Sequence, residues 1–109
     1  MAIRTISVDT VISDICSDDL FVTANARLTV TGSIYGNVEV SNGCHFDLTG
    51  IMTGNLEVCG KATACISGSL IADQIIDAGT LTISGNVTSK VGPYHATMLK
   101  GAYVNMTAY

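Results

Sequence analysis

Charge is scarce in this chain of 109 residues. Charged residues make up 13% of it, Lys and Arg number five, and the net charge is −4. A typical globular domain carries about twice that charged fraction. Nucleic-acid binding needs clustered cations that release counterions from phosphate, and the sequence does not supply them. The same shortage argues against electrostatic binding to anionic lipid. There is no Trp and a single Pro, at position 93. The opening stretch MAIRTISVDTVISD carries Asp9 and Asp14 and lacks the apolar core of a secretory signal. No apolar run approaches the roughly 20 residues that span a bilayer. The expectation is a soluble, cytoplasmic protein of one domain at most.

What is abundant is Gly, with 11 residues, together with Thr, Ser and a hydrophobic fraction of 48%. This composition suits short strands and frequent turns. It is also periodic. The phrase GSIYGNVEV at 32–40 returns as GIMTGNLEV at 50–58, keeping Gly, Gly-Asn, Glu and Val in place. Gly32, Gly50 and Gly68 are 18 apart, and Gly85 follows after 17. Two positions after each lies Ile34, Met52, Leu70 or Val87. Two and four positions before lie Leu28 and Val30, Phe46 and Leu48, Ala64 and Ile66, Leu81 and Ile83. One repeat earlier, Asp14 takes the Gly position, and Cys16, Leu20 and Val22 take the apolar ones.

A shorter period lies inside this one. Every sixth residue from Val22 through Leu28, Ile34, Val40, Phe46, Met52, Val58, Ala64 and Leu70 to Ile76 falls in an apolar column. After a one-residue deletion the column resumes at Leu81 and Val87. Six residues per side and three sides per turn describe a triangular coil of short strands, with alternate residues pointing inward and turns about 4.8 Å apart. The expected fold is all-β, a single-stranded triangular β-helix or β-solenoid, with about five 18-residue turns at 10–27, 28–45, 46–63, 64–80 and 81–91. A helix would need a 3.6-residue apolar stripe, which is absent. A β-sandwich would give no reason for a repeat of this length. The solenoid domain is assigned to 1–91. The pattern breaks at Gly92-Pro93, and 92–109, with three of the four Tyr, is assigned as a C-terminal tail or cap.

Gly36-Asn37, Gly54-Asn55 and Ala72-Asp73 share one corner, with Asp19 one turn earlier. A corner favours residues that tolerate a tight bend or positive φ. Stacked Asn side chains can also hydrogen-bond along the axis. Asn37, Asn55 and Asp73 are therefore taken as structural corners.

The recurring G-x-[apolar]-x-G-N-[apolar]-x-[apolar] phrase resembles that of bactofilins, the polymer-forming bacterial cytoskeletal proteins. The likeness covers about 14–91 and rests on Gly32-Ile34-Gly36-Asn37-Val38, Gly50-Met52-Gly54-Asn55-Leu56, Gly68-Leu70-Ala72 and Gly85-Val87. It implies a right-handed coil that joins end to end into nonpolar filaments and scaffolds other proteins, often near the membrane. Members commonly carry Pro-containing flanks and sometimes a membrane-binding peptide. Here both ends lie close to the coil, which leaves membrane association open. The expected partners are further copies of this chain, as homo-oligomer or filament, and other proteins. No cofactor, metal or catalytic residue is expected.

An uncapped solenoid end is a template of unpaired backbone and apolar core. Self-assembly is accordingly placed at the end turns, at Ile12, Cys16, Leu20 and Val22 and at Leu81, Ile83 and Val87. Two alternatives are weighed. One is a trimeric hexapeptide-repeat acyltransferase, a left-handed coil of the same period, with His45 or His95 as base. The other is a capped solenoid that binds a protein partner.

Other features have plain readings beside sharp ones. Cys16 and Cys44 fall in core columns, while Cys59 and Cys65 fall in outward ones. Their spacing does not favour a disulfide or a zinc site. Glu39 and Glu57 stack in register near Asp73, a candidate cation pair or simply a solvated face. Thr31, Thr49, Ser67 and Ser84 form an outward hydroxyl column, interrupted beside it by Asp47 and Cys65, which fits β-propensity better than an ice-binding array.

Overall fold

The computed structural model describes residues 3–91, 96–105 and the backbone of 107–108. Three strands make each turn. The first turn holds β1 (Ile3–Ile6), β2 (Thr10–Ile12) and β3 (Ile15–Cys16), and the second β4 (Asp19–Val22), β5 (Arg27–Val30) and β6 (Ser33–Tyr35). Next come β7 (Val38–Val40), β8 (His45–Leu48) and β9 (Ile51–Thr53), then β10 (Leu56–Val58), β11 (Thr63–Ile66) and β12 (Ser69–Asp77). β13 (Thr80–Ile83), β14 (Asn86–Val91), β15 (Thr97–Met98), β16 (Tyr103–Val104) and β17 (Thr107–Ala108) complete the order. Among the described residues there is no helix, so none is long and apolar enough to cross a membrane.

Each strand pairs in parallel with its equivalent in the next turn, which makes the chain a β-solenoid of about five turns. Three faces result. Face A stacks β1, β4, β7, β10 and the end of β12. Face B stacks β2, β5, β8, β11, β13 and β15. Face C stacks β3, β6, β9, the start of β12, β14 and β16. Register partners are one sequence repeat apart, for example Phe46 on Leu28 and Met52 on Ile34.

Inward columns form the core, with Val22, Leu28, Val30, Ile34, Val40, Phe46, Leu48 and Met52 fully buried. Neighbours in a column compensate in volume: the bulkiest member, Phe46, is stacked under Ala64, which keeps the interior close-packed. The Gly column is explained by close approach. A Cβ at Gly50 would overlap the carbonyl oxygen of Gly32, and one at Gly68 that of Gly50. Thr49 and Gly50 both donate to the carbonyl of Val30, pulling this corner against the turn before it.

Positive φ occurs at two corners of the coil: at the Gly-Asn corner Gly54 adopts 149°. Ala24 and Asn25 adopt φ of 59° and 56°, and Gly43, the register mate of Asn25, adopts 80°. Asn37 and Asn55 themselves do not; the positive φ of their corner falls on Gly54, and the recurrence of Asn has a hydrogen-bonding reason described below.

The inward column also departs from strict six-residue spacing. Ile75 pairs with Leu56, Ile76 with Glu57 and Asp77 with Val58, each one position further apart than the repeat. Thr80 pairs with Thr63, one position closer than the repeat. One residue is gained at the 72–74 corner, and two are lost where Ala78-Gly79 replaces the stretch 59–62. The single deletion assumed from the sequence is the sum of these. It misplaces Ile76, which is 41% exposed, while Ile75 is 1% exposed and Asp77 takes the inward position above Val58 at 4%. The boundary expected at 91/92 borders residues 92–95, which lie outside the described residues. Beyond them parallel pairing resumes, with Met98 on Ile83 and Val104 on Val87.

The register predicts unequal costs for two adjacent isoleucines. Ile75→Ala should lower unfolding free energy by about 2–4 kcal/mol, a core truncation. Ile76→Ala should change it by no more than about 0.5 kcal/mol. Urea denaturation of the two variants checks this, and the reverse order would restore the uninterrupted six-residue column.

Candidate functional site

The end residues are positioned by stacking. The seven side chains assigned to self-assembly are all inside the core: Ile12 and Cys16 are 7% and 8% exposed and the other five 2% or less. β1 lies against β4, so Leu20 and Val22 are one layer in, beside Arg4 and Ile6. At the other end β15 and β16 lie over β13 and β14, covering Leu81, Ile83 and Val87. Partly buried Ala96 and Met98 pack on the same core.

The true first layer therefore includes residues that the periodic pattern did not reveal. Arg4 shares the inward column of Leu20, and Thr10 that of Leu28. A concavity at this end is lined by Arg4, Ile12, Asp14, Cys16 and Asp18 among others. Arg4 stands two positions closer to Leu20 than the repeat requires, so counting back by whole repeats passes over it. The far end differs. β17 turns back antiparallel on β16, pairing Tyr103 with Ala108, through Asn105 at φ 49°.

The Gly-Asn corner is a hydrogen-bond ladder. Asp19 Oδ1 accepts from the Asn37 N–H at 2.9 Å, and Asn37 Oδ1 from the Asn55 N–H at 2.9 Å. Asn55 Oδ1 accepts from both the Asp73 and Gln74 N–H groups at 3.0 Å. The extra residue of this corner thus finds an acceptor. Each side chain supplies an acceptor for an N–H of the next turn at the bend, which is why Asn and Asp recur there.

Beside the ladder, face A carries an open groove of about 550 Å³, bounded by Phe21, Glu39, Glu57, Gln74 and Ile76. Glu39 and Glu57 are in direct register. With Cys59 they present ligand atoms within 4.8 Å of one another and so could hold a cation; exposed carboxylate pairs also stack in sheets without one. All four cysteines are free, Cys16 and Cys44 buried, Cys59 half-buried and Cys65 exposed. Partial burial raises the Cys59 thiol pKa, and the carboxylates of Glu57 and Glu39 raise it further. Burial followed by Asp47 raises that of Cys65, against an opposing pull from Arg27. Neither environment makes an activated nucleophile.

No family model, curated protein or solved structure matches this chain. The fold and the site geometry therefore carry the functional argument, with the sequence likeness beside them.

His45 is half-buried in register between Arg27 and Thr63, and no hydrogen bond or ion pair reaches its ring among the described residues. His95 lies outside the described residues. A general base needs an orienting partner, and His45 has none there. The hydroxyl column is engaged too: Thr49 Oγ1 donates to the Val30 carbonyl at 3.1 Å and Ser67 Oγ to that of Leu48 at 3.2 Å.

Two measurements follow. Asn55→Ala leaves two backbone N–H groups without their acceptor and should cost about 1–2 kcal/mol, more than Asn37→Ala, which releases one; Asn55→Asp should recover most of the loss. Chemical denaturation of the three variants gives the ranking. Glu57→Gln removes the second cause of the raised Cys59 pKa, so more thiolate forms at a given pH. In a Cys65→Ser background, Cys59 should then alkylate faster with iodoacetamide at pH 8, with the rate profile displaced to lower pH. An unchanged profile would mean that the Glu57 carboxylate has no part in setting the thiol.

Proposed function

We propose that the protein is a structural, non-catalytic solenoid that assembles with copies of itself through its ends, in the manner that its bactofilin-like repeat implies. The observation that supports this is the edge formed by the first described strands. Ser33 donates to the Asp14 carbonyl and Ser41 to that of Val22, each reaching back one turn. N–H groups alternate in direction along a strand. By register the equivalent groups at Ile15, Thr5 and Val11 point away from the coil, where the described residues supply no earlier turn. Such an edge recruits a further strand unless something covers it.

Two N-terminal ends meeting about a two-fold axis close into a pair, whereas N-to-C stacking would grow a filament. The reversed β17 at the C-terminal edge of face C favours the N-terminal contact as the stronger one. The first turn carries both Arg4 and the carboxylates of Asp14 and Asp18, so such a contact opposes charges of both signs. Four free thiols fit a reducing, cytoplasmic setting.

Val11→Pro removes one outward N–H from the edge, a position where proline is tolerated. Sedimentation velocity and negative-stain microscopy should show concentration-dependent assembly of the native chain, and a dissociation constant raised at least about tenfold by Val11→Pro, since lost edge pairing is worth about 1.4 kcal/mol or more. A monomer at every concentration, or a discrete trimer indifferent to the substitution, would overturn the reading.

A further inference from the structure

Face C differs from the other two in one respect. Face A displays Glu39 and Glu57, and face B displays Arg27 and Asp47, which approach to 3.7 Å. Among the described residues, face C displays no charged side chain in its two outward columns from β6 to β16. The charges nearest to it lie on its margins, at Asp14, Asp18 and the Asp73–Lys90 pair at 3.5 Å. In their place stand exposed apolar side chains: Ile15 is 74% exposed, Ile71 53%, and Tyr35, Ile51 and Tyr103 are more than two-fifths exposed.

Their order along the axis is regular. Registers place Ile15, Ser33, Ile51, Ser69, Asn86 and Tyr103 in one outward column. Tyr35, Thr53, Ile71 and Thr88 stand in the other. In the second, third and fourth turns, one of the two positions is large and apolar and the other small and hydroxylated, and the large one changes column at each step: Tyr35 beside Ser33, Ile51 beside Thr53, Ile71 beside Ser69.

We infer that face C is a lateral pairing surface for a second copy of this chain, related by a two-fold axis parallel to the coil axis. That operation keeps each turn level with its counterpart and exchanges the two columns. Tyr35 of one copy then meets Ser33 of the other, Ile51 meets Thr53, and Ile71 meets Ser69, so every bulge enters a shallow position. Sheets packed in this way lie about 10 Å apart. The antiparallel arrangement is less complementary, because it sets Ile15 against Tyr103. Charge selects the occupant. In a two-fold contact the same patch faces itself. Face A would set its carboxylates against their own copies, and each copy carries −4. Face C brings no ionised group against another in its interior.

The face spans six strands, about 24 Å by 10 Å at strand and residue spacings of about 4.8 and 3.3 Å. This is well below the ~800 Å² per partner of a standard interface. The pairing is therefore weak, with a dissociation constant of roughly 10 µM to 1 mM, and it works at high local concentration. It uses a different surface from the end contact and does not depend on it.

The test uses the Val11→Pro chain, which weakens end contacts, under reducing conditions so that exposed Cys65 forms no disulfide. Sedimentation equilibrium up to 1 mM should give a reversible monomer–dimer equilibrium, and small-angle scattering should give the profile of a side-by-side pair. Ile51→Lys and Ile71→Lys point outward, so circular dichroism and the melting temperature should be retained, while each raises the dissociation constant at least tenfold. Adding Thr53→Glu to Ile51→Lys should restore much of the pairing, because the introduced ammonium of one copy then faces the introduced carboxylate of the other. A monomer at 1 mM, an end-to-end scattering profile, or pairing untouched by both lysines would overturn the inference. Failure of the double variant to recover would overturn the parallel arrangement.

Discussion

Every turn must hydrogen-bond to the next along the whole of each strand, and that one requirement governs the molecule. It fixes the register at one full repeat wherever the corners keep their length. It then places each side chain above its equivalent in the turn before. A residue's environment is thus set mainly by two positions in the sequence. The close-approach glycines, the Asn ladder and the alternation of Phe46 with Ala64 are consequences of holding neighbouring turns at strand spacing. So is the stacking of Glu39 on Glu57, a small repulsion that the register imposes and solvent screens.

This dependence made the fold legible and limited the legibility in the same way. Wherever the period holds, inward and outward positions follow by counting: Cys16 and Cys44 are buried and Cys65 exposed as the columns require. The Gly-Asn corner was located correctly, with positive φ at Gly54 and axial hydrogen bonding as anticipated, but the positive φ at Ala24, Asn25 and Gly43 of another corner was not foreseen. Backbone angle and side-chain capping favour the same residue types, so composition alone does not separate them. The error at Ile76 has a similar origin. A gain of one residue at one corner and a loss of two at the next leave the same total as a single deletion, and only the pairing of Ile75 with Leu56 reveals the difference.

The ends were the least legible part. Periodicity identifies a column by its interior members, and an end layer is where a column is free to change character. Arg4 and Thr10 occupy apolar columns without being apolar, so on face A the count began one layer late, at Leu20 and Val22, while Ile12 and Cys16 do lie on the first strands of faces B and C. Beyond Gly92-Pro93, Thr97–Met98 and Tyr103–Val104 rejoin faces B and C as two-residue strands, too short to show a pattern of their own.

The two edges also differ in what they admit. A bare apolar layer would stack on any exposed β-edge, the hazard that sheet proteins suppress with inward-pointing charge. Arg4, exposed but in register with Leu20, places such a charge at the N-terminal edge, and covering it without a partner carries a desolvation cost. Only a surface that offers a carboxylate at the matching place can close over it. The N-terminal end of another copy carries Asp14 and Asp18 around the same concavity. In the proposed end contact, the charge that opposes promiscuous stacking would select a copy of the same end: specificity would come from a like end able to answer the charge, and affinity from the strand edge beneath it.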